Sequence, residues 1–323
     1  MPSWKMPSAD MNDAEHLRTV GEFVRYASAC FRNAGIENPS LDASVLLSDL
    51  FGKDRSFLIL HENQEVPENL RKALLERIQE RKRRRPVSQL TGKKEFYGRT
   101  FFVNEDVLTP RPETEELMDL LLKENLPEKS LILDLCSGSG CIGITLLCEN
   151  PLWECHFSDI SERAMAVLQK NGENLVSDFS LKSKCFTGNL YDPIYDSKYD
   201  SKYDSNAEEK SVSEKSFRRA VSPLYHAILC NPPYIHPDEK PGLMPELSYE
   251  PEGALFHDHL PDLYFEILDG AKDLLLPGGI LLCELSPRWA EDVLKYGNQI
   301  GMPSEVVRDL SGADRFVVSR KLQ

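Results

Sequence analysis

From about residue 109 onward, short apolar segments alternate with stretches of helical periodicity. The apolar segments have the length of buried strands, and most neighbouring pairs are separated by a helical stretch. In order, they read SLILDL, ECHFSD, KCFTGN, YHAILCN, GILLCEL, SEVVRDL and RFVVSR. Strands that alternate with helices form a mostly parallel sheet with helices on both faces, because each parallel connection needs a crossover. The pattern therefore predicts an α/β domain over residues 109–323.

Residues 1–92 have a different pattern and predict a small all-α domain. The segment HLRTVGEFVRYASACFRNAG has apolar residues at helical spacing and ends at Gly35, a residue suited to a helix C-terminus. A second helix is expected in SLDASVLLSDLFG, and a third in PENLRKALLERIQERKRRR before Pro86. The next segment, KEFYGRTFFVNEDVLTP, changes to short strands around Gly98. We therefore expect a β-hairpin linker over residues 93–108.

One segment, residues 193–217, interrupts the α/β pattern. It contains the repeat YDSK-YDSK-YDSN and is polar, charged and poor in aliphatic residues. Such a segment cannot bury enough apolar surface to offset the entropy lost on ordering. We therefore expect a flexible insertion between two strands.

The net charge of −14 limits the range of partners. Binding to phosphates relies on lysine and arginine, so we expect no direct readout of nucleic acid. The one basic run, residues 81–85, is typical of a solvated helix C-terminus, although a contact with an acidic or RNA-bearing partner stays open. No apolar run is long enough to span a membrane, no secretory signal begins the chain, and the eight cysteines form no CxxC pair. These features predict free thiols and a cytoplasmic location.

A glycine-rich turn follows the first strand of the predicted sheet. In LILDLCSGSGCIGITLL, Gly138, Gly140 and Gly143 have the spacing G-x-G-x-x-G, and Asp159 ends the next strand about 20 residues later. Glycines let the backbone approach a ligand closely, and the acidic residue can accept hydrogen bonds from ribose hydroxyls. The turn predicts a nucleoside cofactor, but it suits NAD as well as S-adenosylmethionine. Asp134 favours the latter, because a carboxylate is unfavourable beside a pyrophosphate and favourable beside an ammonium group; it could also hold backbone N–H groups of the loop.

The fourth strand distinguishes the two cofactors. It ends in Asn231, Pro232, Pro233 and Tyr234, at the sheet edge where open α/β sheets bind ligands. The prolines stiffen this segment, since each fixes its own φ and restricts the residue before it. A dehydrogenase has no chemical use for such a motif.

The motif is suited to holding a planar amino group for methyl transfer. The side-chain carbonyl of Asn231 and the backbone carbonyl of Pro232 could each accept one hydrogen of an NH₂ group. Tyr234 could lay its ring against the flat amide or base. The nitrogen lone pair would then be directed at a sulfonium methyl group, and such orientation can lower a barrier by several kcal/mol. A DNA adenine methyltransferase would use the same motif on a flipped base, but the chain lacks the sizeable basic region that such an enzyme needs.

Several linked segments carry a resemblance over nearly the whole chain. They are PVSQLTGKKEFYG, VLTPRPETEELMD, LDLCSGSGCIGI, NPPYI, YEPEGALF and LLPGGILLCEL. The chain resembles the bacterial peptide-chain release factor glutamine methyltransferases, the HemK/PrmC family. The resemblance implies a class I S-adenosylmethionine-dependent methyltransferase fold, Rossmann-like, with an N-terminal helical substrate-binding domain. It also implies methylation of the glutamine side-chain nitrogen in the GGQ motif of class 1 release factors, the expected partners.

The resemblance also implies roles for individual residues. Asp159 is expected to take the cofactor's ribose, Asn189 and Leu190 to border its adenine, and the Asn-Pro-Pro-Tyr motif to hold the substrate glutamine. The candidate catalytic residues are Asn231, Pro232 and Tyr234, with Pro233 added for substrate binding. The candidate cofactor-binding residues are Asp134, Cys136, Ser137, Gly138, Ser139, Gly140, Asp159, Asn189, Leu190 and Asn231. No metal is expected, because His257 and His259 are only two side chains on a predicted loop and are interpreted as surface histidines.

The chain departs from the family pattern at several positions. Cys136 stands where glycine is common, so the φ of the first loop residue is in question, and Asn189 stands where aspartate is frequent. FHDHLPDL replaces a glycine-rich pattern after EPEGALF. Related enzymes that methylate a ribosomal-protein glutamine tend to carry Pro-Arg-Ser, whereas residues 110–115 read PRPETE. That segment favours the release-factor branch, and it either shapes the pocket or packs a domain junction.

Overall fold

The computed structural model describes residues 16–196 and 224–322. Within these ranges the chain forms two compact units, one helical and one built around a sheet. The helical unit contains residues 16–93 and 244–249, and the α/β unit contains residues 94–196, 224–243 and 250–322. The sequence pattern places residues 244–249 in the α/β domain, whereas the structure groups them with the helices.

Helices make up most of the helical unit. They are α1 (Val20–Asn33), α2 (Pro39–Phe51), α3 (Arg55–Leu60), α4 (Glu68–Lys82) and α5 (Val87–Thr91). α1 begins with a capping box, in which the Glu22 carboxylate accepts the Thr19 backbone N–H and the Thr19 hydroxyl accepts the Glu22 N–H. α2 ends at Gly52, whose φ of 61° is left-handed. The apolar core of this unit includes the fully buried Phe23, Phe31, Leu46, Leu47 and Leu74. The predicted all-α character of this region is confirmed.

The basic run at residues 81–85 is partly buried inside this unit. Arg81 is buried; it donates from Nε to Asp42 Oδ2 at 2.8 Å and from Nη1 to Glu246 Oε1 at 3.0 Å. Arg84 Nη2 donates to the second oxygen of Glu246 at 2.8 Å. Burial alone would raise the pKa of Glu246, but the hydrogen bonds from Arg84 and Arg81 outweigh it and the pKa is lowered. These two arginines therefore hold residues 244–249 in the helical unit, and a solvated helix end does not describe them.

Glu246→Ala is expected to destabilise the helical unit by about 2 kcal/mol. Breaking a buried ion pair typically costs about 3–5 kcal/mol, and the cost is smaller here because Asp42 still faces Arg81. Glu68→Ala is the control, since the exposed Glu68–Arg71 pair within α4 is worth about 0.5 kcal/mol or less. Urea unfolding followed by helical circular dichroism measures both losses. Equal losses in the two variants would contradict the assigned role of Glu246.

A β-hairpin carries the chain from the helical unit into the α/β unit. β1 (Lys93–Phe96) pairs with β2 (Arg99–Phe102) as a two-stranded sheet. The turn residues Tyr97 and Gly98 both have positive φ, 48° and 71°, as type I′ hairpin turns require. The hairpin occupies residues 93–102 of the predicted 93–108 linker.

The α/β unit is built on a seven-stranded sheet with the order β5-β4-β3-β6-β7-β9-β8. Its strands are β3 (Leu131–Leu135), β4 (Glu154–Asp159), β5 (Ser183–Thr187), β6 (Tyr225–Cys230), β7 (Leu275–Glu284), β8 (Ser304–Arg308) and β9 (Asp314–Arg320). β3 to β7 pair in parallel, while β9 runs antiparallel to β7 and β8. The predicted mostly parallel sheet is confirmed.

Helices cover both faces of this sheet. They are α6 (Pro112–Leu122), α7 (Cys141–Glu149), α8 (Glu162–Leu175), α9 (Phe179–Lys182), α10 (Asp192–Asp196), α11 (Glu252–Leu255), α12 (Asp262–Leu274) and α13 (Ala290–Gln299). Successive side chains of β3 enter different cores: Ile132 packs in one with α6, α7 and α8, and Leu133 in the other with α12 and α13. The alternation explains why these strands are apolar on both sides.

The register of the sheet brings three loops together at its carboxyl edge. Leu135 at the end of β3 pairs with Ser158 of β4 on one side and with Cys230 of β6 on the other. The residues that follow, Cys136 and Asn231, are therefore neighbours, with Asp159 on the opposite flank. This is the edge at which open α/β sheets bind ligands.

The first residues of the predicted flexible insertion at 193–217 belong to a helix in the structure. α10 extends through residue 196, and Ile194 within it is fully buried in the core that includes α12. An apolar residue before the YDSK repeats therefore keeps this stretch in the fold. The remainder of the predicted insertion, from residue 197, lies outside the described residues. In the part of the chain that the structure describes, no helix combines the length and apolar character needed to cross a membrane.

Candidate active site

The glycine-rich loop after β3 has a left-handed backbone at several positions. Cys136, Gly138 and Gly140 have φ of 57°, 52° and 77°. Gly138 faces open space, since a Cβ there would meet no atom within 4 Å. A Cβ on Gly140 would lie 2.7 Å from Cδ1 of Ile144, so the loop packs closely on α7. Cys136 adopts the positive φ without being glycine, which costs about 1–2 kcal/mol and answers the question that the sequence raised about its conformation.

Asp134 accepts a hydrogen bond from the first turn of α7, directly after the loop. It is fully buried, and its Oδ2 accepts the backbone N–H of Gly143 at 2.9 Å. Burial raises the pKa of Asp134 well above its usual range. The structure supports the backbone-holding role for Asp134, and since its Oδ1 is buried without a partner among the described residues, the predicted cofactor contact stays a prediction.

Asp159 accepts a hydrogen bond from the loop backbone and also lines a cavity. Its Oδ2 accepts the Gly138 N–H at 2.8 Å and its Oδ1 accepts the Ser161 N–H at 2.9 Å. Burial raises its pKa, although these two hydrogen bonds act in the opposite direction. Each oxygen keeps a further lone pair, so the carboxylate can still accept hydrogen bonds from a ligand.

A cavity of about 420 Å³ collects most of the candidate residues at the carboxyl edge. The candidates that line it are Cys136, Ser137, Gly138, Ser139, Asp159, Asn189, Leu190, Asn231 and Pro233. The candidates outside its lining are Asp134, Gly140, Pro232 and Tyr234. The sequence thus identified one wall of the cavity well.

The other lining residues come from two segments in which no candidate site residue was named, although residues 110–115 were expected either to shape the pocket or to pack a domain junction. Arg111 and Thr114 line the cavity from the region around residues 106–114, and Pro251, Ala254 and His257 line it from the region after the Asn-Pro-Pro-Tyr motif. Both regions contain segments that carry the family resemblance, PRPETE and EPEGALF, and this is the signal that could have found them.

The interpretation of both histidines as surface residues needs a correction at His257. It is half-buried and lines the cavity, because the backbone around it is fixed by hydrogen bonds with Ile235 next to the Asn-Pro-Pro-Tyr motif. His259 is exposed. Among the described residues, no three or more potential ligands gather into a group that could hold a metal ion.

Asn231 has a defined side-chain orientation. Its Nδ2 donates to the hydroxyl of Thr114 at 3.2 Å, and that hydroxyl donates to Glu284 Oε2 at 2.8 Å. Its Oδ1 is buried and has no hydrogen-bond partner among the described residues. A buried carbonyl without a partner is costly unless a ligand satisfies it, so this atom is a candidate acceptor for a substrate N–H.

The rest of the motif is buried or half-buried. Pro232 is buried, and Tyr234 is half-buried. Burial, together with the charge of Glu284, raises the pKa of Tyr234, so its hydroxyl keeps its proton. Burial likewise raises the pKa of Glu284, although Thr114, Arg315 and Tyr234 counteract the effect.

The residues present fit S-adenosylmethionine. The open side of Gly138 leaves room for a ligand against the loop, the Asp159 carboxylate can accept hydrogen bonds from ribose, and Leu190 gives an apolar wall near Asn189. A stiff Asn-Pro-Pro-Tyr motif with an unpartnered carbonyl shares the cavity with this loop. A dehydrogenase site would not need it. The fold and the site together define an S-adenosylmethionine-dependent methyltransferase.

Comparison with known proteins narrows this class. The PrmC N-terminal domain family matches residues 22–92, and the methyltransferase small domain family matches residues 114–202. A release factor glutamine methyltransferase of Leptospira interrogans is 32% identical over 94% of this chain and 99% of that protein. Another, from Clostridium acetobutylicum, is 33% identical over 86% of this chain and 90% of that protein. The chain belongs to the release factor glutamine methyltransferase family.

Similarity to solved structures is weaker. A methyltransferase from Pyrococcus furiosus covers 80% of this chain and all of its own, with 14% identity and a TM-score of 0.44. The sequence relatives alone therefore confirm the resemblance seen in the sequence, the methyltransferase activity and S-adenosylmethionine as the methyl donor. The dehydrogenase and DNA-methyltransferase alternatives are not needed.

S-adenosylmethionine is expected to protect Cys136 from thiol reagents. Cys136 lines the cavity and is partly accessible, whereas Cys185 is exposed and outside that cavity. At ten times its Kd, the cofactor should slow modification of Cys136 by N-ethylmaleimide about tenfold, because protection follows occupancy. Cys185 serves as the internal control, and peptide mass spectrometry over time measures both rates. Equal rates for Cys136 with and without the cofactor would place the binding site elsewhere.

Proposed function

We propose that this protein transfers a methyl group from S-adenosylmethionine to the side-chain amide nitrogen of the glutamine in the GGQ motif of class 1 release factors. The observation that carries the proposal is the buried, unpartnered Oδ1 of Asn231 in the cavity that also contains the glycine-rich loop. The names of the relatives support glutamine as the residue and release factors as the partners.

The motif would orient the glutamine side chain. An amide NH₂ is a poor nucleophile, because its lone pair is delocalised into the carbonyl group. Oδ1 of Asn231 accepts one of its hydrogens, and the backbone carbonyl of Pro232 accepts the other. The prolines keep the two acceptors in place, and Tyr234 limits the space beside the flat amide. Orientation of this kind can supply several kcal/mol of the barrier reduction.

The loop residues would hold the cofactor in the same cavity. S-adenosylmethionine would supply a methyl group on a positively charged sulfur; the sulfur leaves as the neutral thioether of S-adenosylhomocysteine, and the methylated amide nitrogen loses one proton to solvent. Gly138 lets the cofactor approach the backbone, Asp159 accepts hydrogen bonds from its ribose, and Asn189 and Leu190 border its adenine. Ser137, Ser139 and Cys136 complete the wall. Since Asn189 presents an amide where a carboxylate is frequent, it can both donate to and accept from the adenine edge.

The partners follow from this chemistry. Class 1 release factors present the glutamine, and the protein would act in the cytoplasm, where free release factors are found. The chain's net charge of −14 favours a protein substrate over nucleic acid. A glutamine of a ribosomal protein is the second candidate, since its amide would meet the same two acceptors.

The test uses purified protein, isotopically labelled S-adenosylmethionine and three acceptors in parallel: an unmethylated class 1 release factor, ribosomal proteins and DNA. Peptide mass spectrometry locates the label. Label on the GGQ glutamine is the expected result. Label on a ribosomal protein instead would overturn the substrate while keeping the amide chemistry, and label on DNA would overturn both.

A further inference from the structure

We propose that Thr114 and Glu284 are positioning residues that set which way the Asn231 amide faces. The inference rests on the proposed function and adds to it which residues orient Oδ1 of Asn231 toward the substrate. An asparagine amide has nearly the same shape when its oxygen and nitrogen exchange places, so the backbone and the prolines cannot select one orientation by themselves. Only hydrogen-bond partners distinguish Oδ1 from Nδ2.

The orientation begins at Glu284. It ends β7, is 1% exposed, and receives the Thr114 hydroxyl at 2.8 Å. A carboxylate accepts but does not donate, and the Thr114 hydroxyl has a single hydrogen to give. Thr114 therefore donates its only hydroxyl hydrogen to Glu284.

The consequence falls on Asn231. The Thr114 oxygen has only lone pairs left, so it can bind the amide only as an acceptor, and Nδ2 of Asn231 donates to it at 3.2 Å. Oδ1 then faces away from Thr114, where it is buried and has no partner among the described residues. Glu284 thus orients the Asn231 amide through Thr114. A reversed amide would point Nδ2 at the substrate NH₂ and repel it.

Three variants of the full-length protein test the hydrogen bonds that link Glu284, Thr114 and Asn231. Thr114→Val keeps the side-chain shape and removes the hydroxyl, and it is expected to lower kcat about 100-fold while KM for S-adenosylmethionine changes little. Glu284→Gln keeps the side-chain shape, but its amide can donate to the Thr114 hydroxyl. Thr114 can then donate its own hydrogen to Oδ1 of Asn231, which reverses the Asn231 amide. A similar loss of kcat is expected. Thr114→Ser keeps the hydroxyl and should retain most of the activity.

Thr145→Val is the matched control. Thr145 is also a fully buried threonine of the α/β unit, but its hydroxyl has no partner among the described residues. It should therefore behave as the wild type. Equal losses in Thr114→Val and Thr145→Val, or an unchanged kcat in Glu284→Gln, would overturn the proposal. A loss of kcat in Thr114→Ser as large as that in Thr114→Val would overturn it as well.

A second measurement is independent of the methyl acceptor. In protein labelled with ¹⁵N-asparagine, the Asn231 side-chain NH₂ signal, assigned from its loss in Asn231→Asp, should exchange slowly with solvent in the wild type and faster in Thr114→Val. If the wild type fails to methylate release factors yet shows this protection, the proposed function is wrong and the positioning role of Thr114 and Glu284 stands. Rapid exchange in an active wild type would overturn that positioning role and leave the proposed function intact.

Discussion

Asn231→Ala is expected to lower kcat for methyl transfer about 10²–10³-fold, the size of loss found when one preorganised hydrogen-bonding group is removed from a reacting centre. The variant deletes Oδ1, the buried acceptor that has no protein partner. The substrate NH₂ would then keep only the Pro232 carbonyl and could rotate about that one hydrogen bond. The walls formed by Gly138 and Asp159 stay in place, so the affinity for S-adenosylmethionine should fall far less than kcat.

Single-turnover transfer from labelled S-adenosylmethionine to a release factor measures this loss, and calorimetric titration with S-adenosylhomocysteine measures the cofactor site. Asn150→Ala is the control variant. Asn150 is also half-buried, but it precedes β4 and therefore lies at the amino edge of the sheet, away from the cavity. Near-normal turnover in a well-folded Asn231→Ala protein would refute the mechanism.

Gly143→Val is expected to destabilise the α/β unit by about 3 kcal/mol or more, because it overpacks a fully closed contact. Gly143 is in α7 where the helix crosses β4. A Cβ there would collide with the ring of Phe157 and lie 2.6 Å from the sulfur of Cys155. Both neighbours are fully buried core residues of β4, so neither can move aside without disturbing the sheet.

Thermal unfolding of the full-length protein measures this effect. Each kcal/mol lowers Tm by about 2–4 °C in a protein domain of 150–250 residues, so a fall of roughly 6–12 °C is expected. Gly242→Val is the matched control, because a Cβ at Gly242 meets nothing within 4 Å and the backbone there has no positive φ. A Tm of Gly143→Val equal to that of the control would show that α7 does not need a glycine at this contact.

The alternating sheet, the hairpin and the glycine-rich loop could be predicted because they depend on short stretches of sequence. An apolar strand followed by Gly138 or by Asn231 places the residue at the carboxyl edge whatever the rest of the chain does. The orientation of Asn231 could not be predicted in this way. It depends on Thr114 and Glu284, which are separated by 170 residues and meet only because α6 packs on β7.

Two other features escaped for related reasons. The sequence predicts that Asp134 could hold backbone N–H groups of the loop, but not that its partner is Gly143 in α7. Residues 244–249 belong with the helical unit because Glu246 meets arginines 162 and 165 residues earlier in the chain. In both cases the position is decided by isolated polar contacts, and such contacts produce no repeating pattern in the sequence.

The location of residues 244–249 makes the helical unit discontinuous in sequence. The chain enters that unit a second time shortly after Tyr234 and leaves it again before Glu250. A truncated protein that starts at residue 94 would therefore contain the α/β unit together with residues 244–249 of the helical unit. It would retain Glu246 but lose Arg81 and Arg84, and with them the anchor of the segment between the Asn-Pro-Pro-Tyr motif and His257. Any division of this enzyme into separately expressed halves, or any exchange of its helical unit with that of a relative, has to carry residues 244–249 along with the helices.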